Sequence, residues 1–557
     1  MKKLLSLILI LALAMSLLAG CGGSTGDDAE KPAADTEKAD EQEPEKEEAG
    51  TPEELKLPLT EEKEELTVWL LYSGSVMSDL NDIEGVKKME ELTNVHINWI
   101  PIEQQQVTDK LGILLTSGEY PDIIYPGIKY PGGVEKGIAD GVIYPDHDTL
   151  VHKYMPNYLS YVNSCDEARK EAYSDNGKLL TLKNMVGEDF DAKSEGTYQG
   201  VAYRKDLLEK FGIEEPKTIA EWHDALVKCK ENGIETPFVL HTNGGSFLSL
   251  SWGASTFSDY YLQVDETGTK IVGTAAMDGF GEYLETMRQW YSEGLIDPNF
   301  TSFNYYLNTP NSVENNQHVL YSLILSAFTG NNYFQMHMCN NEPEYLQPIV
   351  APAVNEGDKT VQAGRRVIAK DEIYITTGCK NPELAAKWLD FQYSKEGELL
   401  NWYGIEDVTY TMDSEGHPQF TDLVLQDPNG LPPSQVMEKY ALNWGNCWLG
   451  KHNTVASEKV ATFAAGGNNQ QKDAVDIWSV PEINVELPMG VSLTEDENDE
   501  VSVKLTAVKT MIEEYMVNYI IGTTDTSFED FKAQLGTYGY NEVIDIYQAA
   551  LDRYNAR

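Results

Sequence analysis

Flat aromatic side chains near predicted strand ends are the residues of this chain best suited to chemistry, and the chemistry is binding. The chain carries 31 Tyr and 10 Trp. A sugar ring has one apolar face of C–H groups and a rim of hydroxyls. It is held by a ring on the face and by carboxylates, amides or Arg at the rim. The candidates by placing are Tyr72, with Ser73, after a first apolar stretch, and Tyr125 after Pro121-Asp122-Ile123-Ile124. Phe247 and Trp252 follow Phe238-Val239-Leu240 in a Gly-rich loop, Phe328 follows Val319–Leu325, and Trp444 and Trp448 share the turn Asn443–Trp448. Glu406 suits sugar hydroxyls or a basic neighbour. Each aromatic also fits core packing, and position alone does not separate the two roles.

Catalytic signatures are missing. The one Gly-x-Ser-x-Gly match, Gly22–Gly26, lies in the polar stretch after Cys21 and follows no predicted strand, so it is no nucleophile elbow; the chain has no His-Glu-x-x-His pair and no Walker-type phosphate loop. A glycosidase needs two carboxylates at a set separation, and the abundance of Asp and Glu leaves that alternative open. The only local histidine cluster, Asp146-His147-Asp148 with His152, lacks a firm ligand spacing, and Asp146 reads as a helix cap; no metal and no cofactor are expected. Beyond Cys21, the cysteines Cys165, Cys229, Cys339, Cys379 and Cys447 are odd in number and widely spaced, without a Cys-x-x-Cys pair.

The N-terminus reads as an export signal. Lys2-Lys3, the apolar run Leu4–Leu18 and the small residues that follow fit a secretory signal and are too short to span a bilayer comfortably. Leu18-Ala19-Gly20-Cys21 resembles a bacterial lipobox, which implies diacylglycerol on the Cys21 thiol, cleavage before it, and anchoring without a spanning helix. Residues 1–20 are then signal peptide and 21–65 a lipidated, acidic, disordered tether, since its Gly, Ser, Pro, Glu and Asp cannot bury a core. The formal charge of −48 disfavours nucleic acid as a partner.

Strands and helices alternate after the tether. Leu66–Leu71, Val95–Ile100 and Tyr120–Tyr125 are predicted strands, separated by helices over Gly85–Asn94 and Gln104–Leu115, the opening of a doubly wound sheet. Further helices are predicted at Tyr203–Phe211, Thr218–Asn232, Phe280–Glu293, Pro382–Ser394 and Val503–Ile521, with strands at Val319–Leu325 and Glu372–Thr376.

These residues carry a family. Ser117–Ile124, Gly141–Pro145 and Met155–Tyr158 resemble the first lobe of extracellular solute-binding proteins of ABC-type sugar importers. Tyr203–Ile213 with Pro216–Thr218 and Glu221-Trp222 is similar to the crossover into the second lobe, and Asn381–Asp390 with Glu396-Gly397 to the return. Tyr403–Glu406, Tyr410, Gly416–Pro418 and the end from Tyr515 to Tyr554 are similar to the longer lipoprotein subgroup. Asp407 and Leu179–Lys183 depart from its pattern. The resemblance implies an α/β fold of two lobes (periplasmic-binding-protein-like, type II) joined by a hinge, with lobe one at 66–200 and 358–406 and lobe two at 201–357 and 407–557. It implies no enzyme but a monomer on the outer face of the cytoplasmic membrane, delivering a sugar or oligosaccharide to separate ABC permease and ATPase subunits. A peptide-binding importer component or an exported glycoside hydrolase are the alternatives. Tyr125 and Trp252 are expected to face each other across the ligand from opposite lobes.

Overall fold

The computed structural model describes residues 52–125, 129–186, 199–303, 305–324, 346–364, 369–452, 474 and 476–557. In chain order, the strands of the two main sheets are β1 (Glu64–Leu71), β2 (Val95–Ile102), β3 (Ile123–Tyr125), β4 (Leu182–Val186), β5 (Gln199–Arg204), β6 (Leu320–Ile324), β7 (Leu346–Ile349), β8 (Ala369–Ile375) and β9 (Lys451–His452). The first sheet has the order β9-β4-β8-β3-β1-β2 and the second β6-β5-β7.

Side-chain alternation along β1 shows why a sheet forms here. Leu66, Val68 and Leu70 enter one buried cluster, while Trp69 and Leu71 enter another on the opposite face. Both faces are covered, as expected of parallel strands flanked by helices. Val68 sits opposite both Trp99 and Ile123, in parallel register. Asp122 pins this register: its Oδ2 accepts from Thr67 N at 2.7 Å and from Thr67 Oγ1 at 2.6 Å.

The helices stop and start on local chemistry. Asn94, at φ 59, ends Glu84–Thr93 in the left-handed conformation that Asn tolerates. Thr218 and Glu221 form a capping box on Ile219–Glu231, and Asn381 caps Pro382–Tyr393 with Pro in its first turn. Asp390 caps a different helix, accepting from Tyr158 N at 2.9 Å and from Asn157 Nδ2 at 2.8 Å. The family-like motifs are thus largely folding instructions.

Strand direction sets where a ligand can be met. β1, β2, β3, β4 and β9 run parallel and β8 runs against them. Their carboxyl ends therefore share one edge with the start of β8. From that edge the chain passes from β4 into β5, returns into β8, and leaves again after β9. In the second sheet β5 is antiparallel to β6 and β7, so the carboxyl ends of β6 and β7 lie towards the start of β5. Ligands of open α/β sheets gather outside such carboxyl edges.

Two expected boundaries move. The stretch from Tyr410 to His452, expected with the second lobe, joins the first: Lys451 pairs with Met185, Ser73 N donates to Gly445 O, and Gly85 N donates to Tyr440 O. Conversely, Val361 and Ala363 belong to the second core. The expected tether also ends early. Glu53 N donates to Lys153 O, Leu59 N donates to Thr93 O, and Leu55 and Leu59 pack on the first core. Two leucines among polar residues suffice to lay this segment down.

The chain's end ties the lobes together. Arg553 and Arg557 pair with Asp175 at 2.8 and 2.6 Å, and Tyr554 OH donates to Glu171 Oε1 at 2.9 Å.

Candidate functional site

The extended residues Phe238–Leu240 bridge to Leu320 of β6 in parallel, so their carboxyl end faces the edge at which the lobes connect. A tight turn follows, closed by Gly244 N to His241 O and His241 N to Gly245 O. Gly244 holds φ +85, and a side chain there would also meet Ile520. Hydroxyls lock the next stretch: Ser246 Oγ meets Ser322 Oγ at 2.8 Å, and Thr256 Oγ1 donates to Ser246 O while accepting from Ser246 N. Such a satisfied buried network holds a loop in one shape before any ligand arrives.

This loop forms one wall of a cavity of about 530 Å³, and the helix Glu495–Ile521 forms another. His241, Thr242, Asn243 and Phe257 line the first, with Thr301 nearby; Glu513, Glu514, Val517 and Asn518 line the second. Phe257 is half-buried; its inner neighbour Phe247 lies 4.1 Å away between ring centroids, and the His241 ring meets Phe257 edge-on at 4.5 Å. Asn243 Nδ2 donates to Tyr261 OH at 3.2 Å, which donates in turn to Glu513 Oε1 at 3.5 Å. Burial and the Glu513 charge push the Tyr261 phenol up, so it stays a donor. A ring face beside carboxylates and amides is the arrangement that grips a polyhydroxylated ring.

The first lobe's edge is tighter. Tyr72 is 5 % exposed, with its ring against Gly445 and its hydroxyl buried without a hydrogen-bond partner. A Cβ on Gly445 would fall 1.9 Å from that ring, so only Gly fits. Glu438 Oε2 accepts from Ser75 N and Val76 N, both at 2.8 Å, and holds the loop after β1. Asn184 Nδ2 donates to Tyr125 OH at 3.4 Å and to Trp448 O at 3.0 Å.

The aromatic candidates therefore divide. Tyr125 and Phe247, each 1 % exposed, are core residues beneath the edge. Trp252 is half-buried, meets Tyr283 edge-on at 5.9 Å, and does not line the cavity. Tyr125 belongs to the first core and Trp252 packs on the second. Trp444 donates through Nε1 to Trp402 O at 2.8 Å, Trp448 packs in the same small cluster, and Glu406 is exposed. Phe328, Cys339 and Cys21 lie outside the described residues. Phe257, His241, Asn243, Glu513 and Glu514 were not among the candidates; Phe257 follows Phe247 by ten residues in the loop already singled out.

The Asp–His cluster has structural work. Asp146 Oδ1 accepts from Thr149 N at 3.3 Å as a helix cap. His147 donates from Nδ1 to Tyr144 O and accepts at Nε2 from Ile375 N, at 2.8 and 2.9 Å, so the fold holds the neutral ring. Burial pushes its pKa down to about 4. Because the unfolded chain then binds the proton first, stability is full above the ordinary histidine range near 6.5 and is lost as pH falls towards 4, by on the order of 3 kcal/mol. Asp390, pushed up by burial to about 7, contributes the opposite slope over pH 4 to 7. We expect His147→Gln to lower the slope of stability against pH in denaturant melts between pH 4.5 and 7, exposing the fall that Asp390 contributes; an unchanged slope would remove His147 as a contributor. Cys165, Cys229, Cys379 and Cys447 carry free thiols.

Comparison with known proteins fits this architecture. Residues 83–399 match the profile of the family described as bacterial extracellular solute-binding protein. The chain is 26% identical over 530 residues to the fructooligosaccharide ABC transporter substrate-binding protein FusA of Streptococcus pneumoniae serotype 4 (strain ATCC BAA-334 / TIGR4), covering 90% of this chain and 92% of that protein. Among solved structures, S. pneumoniae FusA in complex with kestose superposes with a TM-score of 0.68 at 23% identity, over 88% of this chain and 99% of that one. An extracellular solute-binding protein from Bifidobacterium longum subsp. infantis gives 0.71 at 16%, over 88% and 98%. The alginate-binding protein AlgQ2 gives 0.68 at 20%, over 89% and 99%. The two-lobe fold is shared with these proteins.

Proposed function

We propose, for a chain that belongs to the bacterial extracellular solute-binding protein family, that it captures an oligosaccharide between its lobes and hands it to an ABC importer. The observation that carries this reading is the cavity at the carboxyl edge of the second lobe, where Phe257 offers a ring face and Asn243, Glu513 and Asn518 offer a polar rim. A volume near 530 Å³ falls in the range of small-ligand clefts. The curated relative's fructooligosaccharide role supports the ligand class. On this reading the protein works as a monomer, and closure of its lobes on the sugar is what the permease recognises, with the ATPase as a separate chain.

The lipobox-like Leu18–Cys21 supports a lipid anchor on the outer face of the cytoplasmic membrane. Among the described residues no helix is long and apolar enough to cross a membrane. Calorimetric titration with fructo-, gluco-, galacto- and manno-oligosaccharides, and with a peptide mixture, tests the ligand class. Saturable binding of a sugar with no heat from peptides is expected, and peptide binding alone would defeat the reading. Cys21→Ala is expected to leave the protein uncleaved or shed; normal retention with a normal mature terminus would remove the anchor.

A further inference from the structure

The charge around the cavity restricts what it can take. Glu513 and Glu514 are adjacent on the helix Glu495–Ile521 and both line the space, while no Lys or Arg does so among the described residues. Lys509 Nζ stands 3.9 Å from Glu513 Oε1, with a side chain 55% exposed, and a pairing that open to solvent neutralises little. His241, the one other titratable side chain lining the cavity among the described residues, is pushed down by burial to about 4 and carries no charge at neutral pH. The remaining polar groups are the amides of Asn243 and Asn518 and the hydroxyls of Thr242 and Thr301. They hydrogen-bond hydroxyls equally well in neutral and acidic sugars.

We infer that this cavity selects oligosaccharides without negative charge, through the carboxylates of Glu513 and Glu514. The inference rests on the sugar-binding reading above and narrows it. A neutral sugar offers hydroxyl donors to the two carboxylates, and such charge-assisted bonds are stronger than neutral ones. A uronate, sialylated or sulfated sugar brings further negative charge beside Glu513 and the exposed Glu514, with no Lys or Arg among the described lining residues to receive it. Like charges brought together at an interface oppose binding and reject the wrong partner. The acidic balance of the whole chain, at −48, adds a long-range bias in the same direction.

The test uses matched sugars with and without charge. The full chain, kept in detergent, is titrated calorimetrically with lacto-N-tetraose and its sialylated form, and with fully methyl-esterified tetragalacturonate and its free acid. Wherever the neutral member binds, the acidic member is expected to bind at least about tenfold more weakly. Raising the salt narrows the gap, because ions screen the repulsion. Glu513→Gln with Glu514→Gln is expected to close most of the gap while leaving the melting temperature near that of the parent; Glu514→Gln alone closes part of it and serves if the double variant misfolds.

An acidic member that binds as tightly as its neutral partner overturns the inference and leaves sugar binding standing. A gap that survives both Gln variants overturns the assignment to these carboxylates. If peptides bind and no sugar in either this set or the wider panel does, the parent reading falls and this one with it.

Discussion

Lys451→Met is expected to destabilise the first lobe by about 3–5 kcal/mol, because it takes the buried cation away from a buried carboxylate. Lys451 and Glu398 have side chains 3% and 1% exposed, with Nζ 3.2 Å from Oε2. Burial works against the Lys451 charge, but Glu398 and Tyr161 outweigh it and hold its pKa above the usual lysine value. The ammonium also lies 5.0 Å from the Tyr161 ring centroid. Among the described cations near Glu398, Lys395 remains, with its Nζ 3.8 Å away and its side chain 61% exposed. That substitute sits in solvent and recovers only part of the loss. The position matters because Lys451 lies in β9, paired to β4 beside Met185, and its carbonyl accepts from Trp402 Nε1 at 2.8 Å.

Replacing the pair together, as Glu398→Leu with Lys451→Met, removes both charges and is expected to come within about 1–2 kcal/mol of the parent. Denaturant melts of the two single variants and the double variant decide the matter. Equal loss in single and double variants would show that the site depends on the shape of the lysine and not on its charge.

The first half of the fold was legible because its signals are local. Strand and helix periods, the Thr218–Glu221 capping box, the Asn381-Pro382 start and the Asn94 stop all act within a few residues. The return of Tyr410–His452 to the first lobe was not legible. What holds it there are backbone contacts such as Ser73 N to Gly445 O and the Glu438 carboxylate on Ser75 and Val76, which join positions more than 360 apart. No local pattern encodes a pairing at that separation.

The site followed the same rule. The loop after Phe238–Leu240 could be picked from its apolar run and glycines, but which of its rings faces outward is decided by the hydroxyl network of Ser246, Thr256 and Ser322. That network turns Phe247 inward and leaves Phe257 half-buried. Glu513 and Glu514 come from a helix some 250 residues later, and an adjacent pair of acids in a helix carries no local sign of the loop it will face. Likewise Tyr72 and Tyr125 sit at the right strand ends, yet Gly445 and Asn184 draw them into the wall instead of above it.

Phe257→Ala is expected to weaken oligosaccharide binding by about 1–3 kcal/mol, roughly 5- to 150-fold, with a smaller effect on folding. The ring is half-buried, packed at a tilt against Phe247 and edged by His241, so its outer face is the apolar surface available to a sugar. Phe247→Ala makes the contrast. That ring is 1% exposed within the second core, and its loss is expected to cost about 3–5 kcal/mol of stability. Any fall in affinity there follows from a loosened Phe257 and not from a lost contact. Tyr125→Ala and Trp252→Ala, which a sugar clamped between opposite lobes would make the sensitive pair, are expected to behave more like Phe247, since Tyr125 is buried and Trp252 packs on Tyr283. Affinity and melting temperature measured on all four variants separate the cases. If Phe257→Ala melts like a core variant while binding its sugar unchanged, the cavity between the His241 turn and Glu513 is not where the ligand sits.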